Sequence, residues 1–209
     1  MLVEQPRLTH SQPWPPVIKS GFQVMQVMEA IFGRRSVRDY RPDPVPQEAI
    51  TRLIEAATQA PSAINQQPWS FSVVCDQKLL DRISHDAKAH MLNVRPSALP
   101  AHLYESLSKP DSDIFHHAPV LVAIAAIEQN PWMAENRALA AENLMLAAHD
   151  MGLGSCWIGL AQAWFDTPTG KEALGFPHSY VVVAPIIVGI PAAAPPPVPR
   201  KAPEVRWIG

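Results

Sequence analysis

The chain has 209 residues, 47% of them hydrophobic and 17% charged, with a formal charge of −2. That length allows one large domain or two small ones and is enough to bury a substantial core, and a near-neutral balance with no basic run argues against a nucleic-acid partner. The modest charge also fits a surface partly covered by another subunit.

Two cysteines, Cys75 and Cys156, make no disulfide framework, so a reducing cytoplasmic setting is expected. Residues 1–20 lack the apolar core of a signal peptide, and the longest apolar run, Ala118 to Ile127, is too short to span a bilayer. A soluble chain with no membrane partner is the expectation. The 23 prolines gather around Pro13–Pro16 and from Pro185 onward, which predicts an extended N-terminal arm over 1–20 and an extended C-terminal arm from about 189. Residues 21–209 then form a single domain.

Helical spacing of Val24, Val27, Met28 and Ile31 predicts a helix from Phe22 to Phe32, ended by Gly33. The stretch Gly33-Arg34-Arg35-Ser36-Val37-Arg38-Asp39-Tyr40 follows, with three guanidiniums and a hydroxyl at one bend. Guanidiniums are planar and permanently charged, matched to phosphate or carboxylate oxygens. They also complement the negative end of a preceding helix, and both readings stay open for Arg34 and Arg35. Pro42, Pro44 and Pro46 make a rigid connector into a helix from Gln47 to Gln59, with Ile50, Leu53, Ile54 and Ala57 on one face. The next loop, from Ala60 to Trp69, is dense in amides and hydroxyls and carries prolines near both ends, so it is either solvated or clasps a polar ligand.

A strand is expected over Ser70–Cys75, a helix over 77–90, a loop over 91–113 and a buried strand over Pro119–Ile127. The longest helical segment runs from Asn136 to Met151 and closes at Gly152. A short strand spans Gly154 to Gly159, a short helix Thr169 to Leu174, and a last strand Tyr180 to Val188. Helices and strands interleave without regular βα units, which predicts an α+β layer fold rather than a doubly wound sheet.

Several chemistries are weakly supported. Gly152-x-Gly154 lies after a helix and before a strand, the reverse of a phosphate-cradling turn. The eight histidines show no His-x-x-x-His spacing, and no Cys-x-x-Cys is present, so no metal is expected. Ser62 and Ser155 lack a nucleophile elbow, and Cys156 sits beside Trp157 in an apolar setting. What remains is an anion site with no nucleophile, base or metal of its own, a pattern suited to a bound cofactor that carries the chemistry.

Three stretches in order, Arg34-Arg35-Ser36-Val37-Arg38, Ala60 through Phe71, and Gly152-Leu153-Gly154-Ser155-Cys156-Trp157-Ile158-Gly159, together with Arg200-Lys201, resemble the nitroreductase family of FMN enzymes. The resemblance covers roughly residues 24–207. It implies a central, mostly antiparallel sheet flanked by helices, an intertwined homodimer, and two FMN sites at the dimer interface. By that resemblance Arg34, Ser36 and Arg200 hold the FMN phosphate, with Arg35 and Lys201 nearby, and Arg38 lies toward the pyrimidine edge of the flavin. Pro61, Ser62, Ala63 and Asn65 reach the ring and ribityl chain from the other subunit, with Gln67 behind them. Ile158 and Gly159 approach the central ring. Arg38 would tune the flavin by favouring its reduced state, and no side chain acts as a catalytic residue.

The implied activity is ping-pong transfer from NADH or NADPH through FMN to a nitroaromatic, quinone or other electron-poor small molecule. The alternative is a flavin-storing or regulatory protein with little turnover. Residues 91–117 and 160–170 are the candidates for shaping the acceptor site. Phe115, His116 and His117 are placed either at the flavin face or beneath the strand that begins at Pro119, and Trp164 and Phe165 either cap the pocket or belong to the core.

Overall fold

The computed structural model describes residues 25–94, 100–127 and 131–209, so the expected arm over 1–20 lies outside the described residues. In chain order the elements are α1 (Val27–Gly33), α2 (Gln47–Thr58), β1 (Trp69–Val74), α3 (Gln77–Val94), α4 (Ala101–Leu107), β2 (Val120–Ala126), α5 (Met133–Asp150), β3 (Gly154–Trp157), α6 (Gln162–Phe165), α7 (Pro168–Ala173) and β4 (Val181–Gly189). The four strands form one sheet in the order β1-β2-β4-β3, with every neighbouring pair antiparallel. The expected α+β architecture is the one observed.

β2 and β4 are central and read as continuous apolar runs because both of their faces are covered. On one face, Ile50, Leu53 and Ala57 of α2 pack with Ala140, Ala141 and Leu144 of α5 against Val122, Ile124 and Ile186. On the other, Leu80, Ile83 and Ala87 of α3 meet Phe115, Trp164 and Phe165 over Leu121, Ala123 and Ile187. Trp164 and Phe165 stack edge to face, with ring centroids 5.3 Å apart, and so belong to the core.

The stretch 91–113, expected as a loop, contains the end of α3 and all of α4. Pro100 stands at the N-cap of α4, where its missing N–H is no loss; a proline that signals a loop also starts a helix. α1 begins at Val27, and Val27, Met28 and Ile31, whose helical spacing predicts a covered face, are exposed among the described residues, as is Phe32. No described helix is long and apolar enough to cross a membrane.

Candidate functional site

Gly33 ends α1, and Arg34 turns the chain into extended backbone (φ −55°, ψ 134°). The next residues run beside β3. Ser36 bridges Ser155 in parallel, and the Val37 N–H donates to the Ser155 carbonyl at 3.0 Å. Gly154 makes this approach possible: a Cβ there would lie 2.8 Å from Cβ and both Cγ atoms of Val37. Farther on, the Arg41 N–H donates to the Ile190 carbonyl at 2.8 Å and the Ala192 N–H to the Asp39 carbonyl at 3.0 Å. The arginine stretch is thereby stitched to β3 at one end and to the chain leaving β4 at the other. Val37 is buried, while Ser36 and Arg38 stand exposed on the rim.

The two readings of the arginines divide between residues. Arg35 donates from Nη1 to the carbonyls of Phe32 and Arg34, both at 2.7 Å, so it does cap the end of α1; its Nε is buried without a partner. Arg34 instead pairs its Nε with Glu142 Oε1 at 3.2 Å. Arg38 makes neither contact and remains available on the rim. His149 of α5 packs against Gly33, where a Cβ would come within 2.5 Å of its Nε2. Burial first, then the Arg34 and Arg35 guanidiniums, holds His149 below the usual histidine range. A cavity of about 280 Å³ opens here, lined by Arg34, Arg35, Val37, His149, Ser155 and Pro195 among others.

Around Arg38, burial shifts Tyr40, Cys156 and His116 toward their neutral forms. Burial, with Cys156 adding to it, pushes the Tyr40 phenol far above its ordinary range, and the hydroxyl donates to the Val37 carbonyl at 2.7 Å. Burial also raises the Cys156 thiol, against the opposing pull of Arg38 and Ser36. His116 is half-buried and held low, first by burial and then by Arg38. His116 and His117 both have φ near 54°, an uncommon left-handed pair. Asp113 fixes that turn by accepting from the Phe115 N–H at 3.0 Å and the His117 N–H at 2.6 Å. Phe115 itself is buried beneath the sheet. Among the described residues no group of three or more histidines, cysteines or carboxylates is gathered as metal ligands.

The loop after α2 carries Pro61, Ser62, Ala63, Asn65 and Gln67, with a single-turn 3₁₀ segment over Ala63–Asn65. Ile64, Asn65 and Gln67 all have positive φ. The Ala63 N–H donates to Asn136 Oδ1 at 3.1 Å, and the Gln67 N–H to Ser62 Oγ at 2.9 Å. Ile158 is buried, its N–H on the Pro185 carbonyl at 2.8 Å. Gly159 opens the turn after β3, and a Cβ there would meet nothing within 4 Å.

A single chain brings only part of this set together. Ser36, Arg38, Ile158 and Gly159 cluster along β3, whose Ser155 pairs with Val188. The loop enters β1 at Trp69, which pairs with Ala126, itself opposite Val181. Ser36 and Trp69 therefore occupy diagonal corners of the sheet, separated by about 19 Å across the strands and about 23 Å along them at ordinary strand spacings. Along α5, the anchors of the two halves, Asn136 and Glu142, differ by roughly 9 Å of rise and about 120° of rotation. Arg200 and Lys201 are exposed on the C-terminal arm, which runs on to Trp207 at 93% exposure. Sequence reasoning passed over Glu142, Asn136 and His149. The one available signal was polar residues recurring inside an Ala- and Leu-rich helix.

A model described as the nitroreductase family matches residues 31–190. Among curated proteins, an NADH dehydrogenase of Thermus thermophilus is 44% identical over 59 residues, 28% of this chain and 29% of that protein. An iodotyrosine deiodinase of Danio rerio is 39% identical over 75 residues, 34% of this chain and 25% of that protein. The matched segments thus span less than a third of these relatives' lengths. A nitroreductase of Bacteroides fragilis, solved with bound FMN, superposes with a TM-score of 0.77 at 27% identity, over 88% of this chain and all (100%) of that one.

Proposed function

We infer the function from one premise: the chain belongs to the nitroreductase family. We propose that it is an FMN-dependent oxidoreductase that uses NADH or NADPH to reduce a nitroaromatic, quinone or other electron-poor small molecule in a ping-pong cycle. Bound FMN would accept and donate the hydride; the chain's part is placement, electrostatics and exclusion of competing chemistry.

The donor set fits FMN. Arg34 and the Ser36 hydroxyl offer the charge and hydrogen bonding that a phosphate needs. Arg38 stands exposed on the same rim and would favour negative charge at the pyrimidine edge. The open space over Gly159 leaves room for a planar ring. Tyr40 and Cys156, kept protonated by burial, add no competing nucleophile.

The observation that carries this reading is the rim of Ser36 and Arg38 fixed to β3 beside the Gly159 turn. The diagonal placement of the 61–67 loop supports a homodimer in which each loop completes the partner's site. So do two uncovered apolar surfaces: Val27, Met28, Ile31 and Phe32 on α1, and Trp207 and Ile208 on the arm. The names of the relatives favour no single acceptor, since they include both an NADH dehydrogenase and an iodotyrosine deiodinase.

The test is the visible spectrum of the purified protein, followed by anaerobic addition of NADH and NADPH. Flavin bands that bleach, and recover with an added quinone or nitroaromatic, are expected. Bands that never bleach would leave a flavin-storing protein, and a colourless chain that takes up no FMN would overturn the cofactor reading.

A further inference from the structure

We propose that Asn136 is a positioning residue that holds the 61–67 loop in place, so that Ser62, Ala63 and Asn65 meet the cofactor pre-positioned. The proposal rests on the FMN reading for its consequence, but its structural content stands apart from it.

The loop is built against its own backbone preferences. Within four positions, Ile64 (φ 46°), Asn65 (φ 56°) and Gln67 (φ 49°) all take left-handed conformations. For a β-branched residue this is a true outlier, and Ile64 is 87% exposed, so its own side chain does not hold it there. Such backbone persists only where its surroundings over-determine it. Part of the constraint is internal: the Asn65 N–H donates to the Ser62 carbonyl at 2.9 Å, and Gln67 Nε2 to Asn65 Oδ1 at 3.1 Å. These bonds tie the loop to itself and leave its position free.

Position comes from α5. Asn136 is 3% exposed, and its Oδ1 receives the Ala63 N–H at 3.1 Å from 73 residues away. One heptad along the same helix, Asn143 Nδ2 donates to the Ala56 carbonyl at 3.2 Å. Residues seven apart lie on nearly one face of a helix, roughly 10 Å from each other. The last turn of α2 and the loop that follows it are thus pinned at two points to one rod. The same rod carries Glu142, the partner of Arg34, so α5 fixes both halves of the proposed site.

The chemistry at Asn136 is one-sided. Its Oδ1 is used, while its Nδ2 is buried without a partner. The loop therefore needs the acceptor and makes no use of the amide's donors. This gives the role a signature that packing alone would not: aspartate, kept protonated by burial, retains both shape and acceptor, whereas leucine keeps the volume and loses the bond.

The experiment compares wild type with Asn136→Asp and Asn136→Leu. Amide hydrogen exchange over residues 61–67 is measured on the FMN-free protein, and FMN affinity by quenching of flavin fluorescence. In wild type the Ala63 amide exchanges slowly. Asn136→Leu accelerates exchange across the loop tenfold or more and weakens FMN about tenfold, while Asn136→Asp stays within about threefold of wild type on both. Equal effects of Leu and Asp, or a Leu variant with wild-type exchange, would overturn the proposal. If Asn136→Leu does not fold, fast exchange of Ala63 in wild type overturns it, and slow exchange together with a wild-type-like Asp variant supports it. A wild type that binds no FMN defeats the cofactor reading and leaves the exchange result to decide the loop.

Discussion

Gly154→Ala tests whether the arginine rim is held by close packing on β3. The added Cβ would sit 2.8 Å from three atoms of Val37, against an ordinary contact of 3.4–4 Å. Relief requires a shift of roughly 0.6–1.2 Å, since overpacked side chains are accommodated by such backbone movement. Val37 is buried and flanked by its own N–H bond to Ser155, so the shift is taken up by the 36–38 segment moving off β3. Overpacking of this kind costs about 1–3 kcal/mol. A displacement of Ser36 and Arg38 near 1 Å would weaken FMN by about tenfold, equal to ~1.4 kcal/mol. The assay is urea unfolding of the FMN-free protein beside a fluorescence titration with FMN. A variant with wild-type midpoint and wild-type affinity would refute the reasoning, because the rim would then not depend on the close approach at Gly154.

Arg38→Ala is expected to keep FMN bound but lower its reduction potential by tens of millivolts, on a scale of ~30 mV per 1.4 kcal/mol for a two-electron couple; an unchanged potential rules out the tuning role. Stability should fall as pH drops below about 6.5, the ordinary histidine value from which His116 and His149 are both lowered. The unfolded chain binds more protons than the folded one between those depressed values and 6.5, so stability rises with pH across that window and is lost on acidification. Replacing both histidines with asparagine should flatten the urea midpoint between pH 5 and 7, and an unaltered slope would contradict the assignment. Asp113, whose hydrogen bonds outweigh its burial and hold it low, adds a further loss at more acidic pH.

The sequence by itself determined whatever depends on near neighbours. Ile50, Leu53 and Ala57 recur at helical spacing and pack as one face of α2, and the apolar runs at β2 and β4 fill the middle of the sheet. The Arg34–Arg38, 60–71 and 152–159 stretches marked the family because their residue types and order survive in the linear chain. Tertiary structure decided the rest. That Arg35 caps α1 while Arg38 stays exposed on the rim follows from which carbonyls lie within reach after the turn at Arg34. That Ser36 adds to the edge of β3 depends on a strand more than a hundred residues later, and the tether of Ala63 on Asn136 spans 73. Contacts of that separation leave no periodic trace, because helix and strand patterns record only which face is covered, not what covers it. The uncovered apolar face of α1 is the clearest case: its spacing signalled burial, and the described residues supply nothing to bury it.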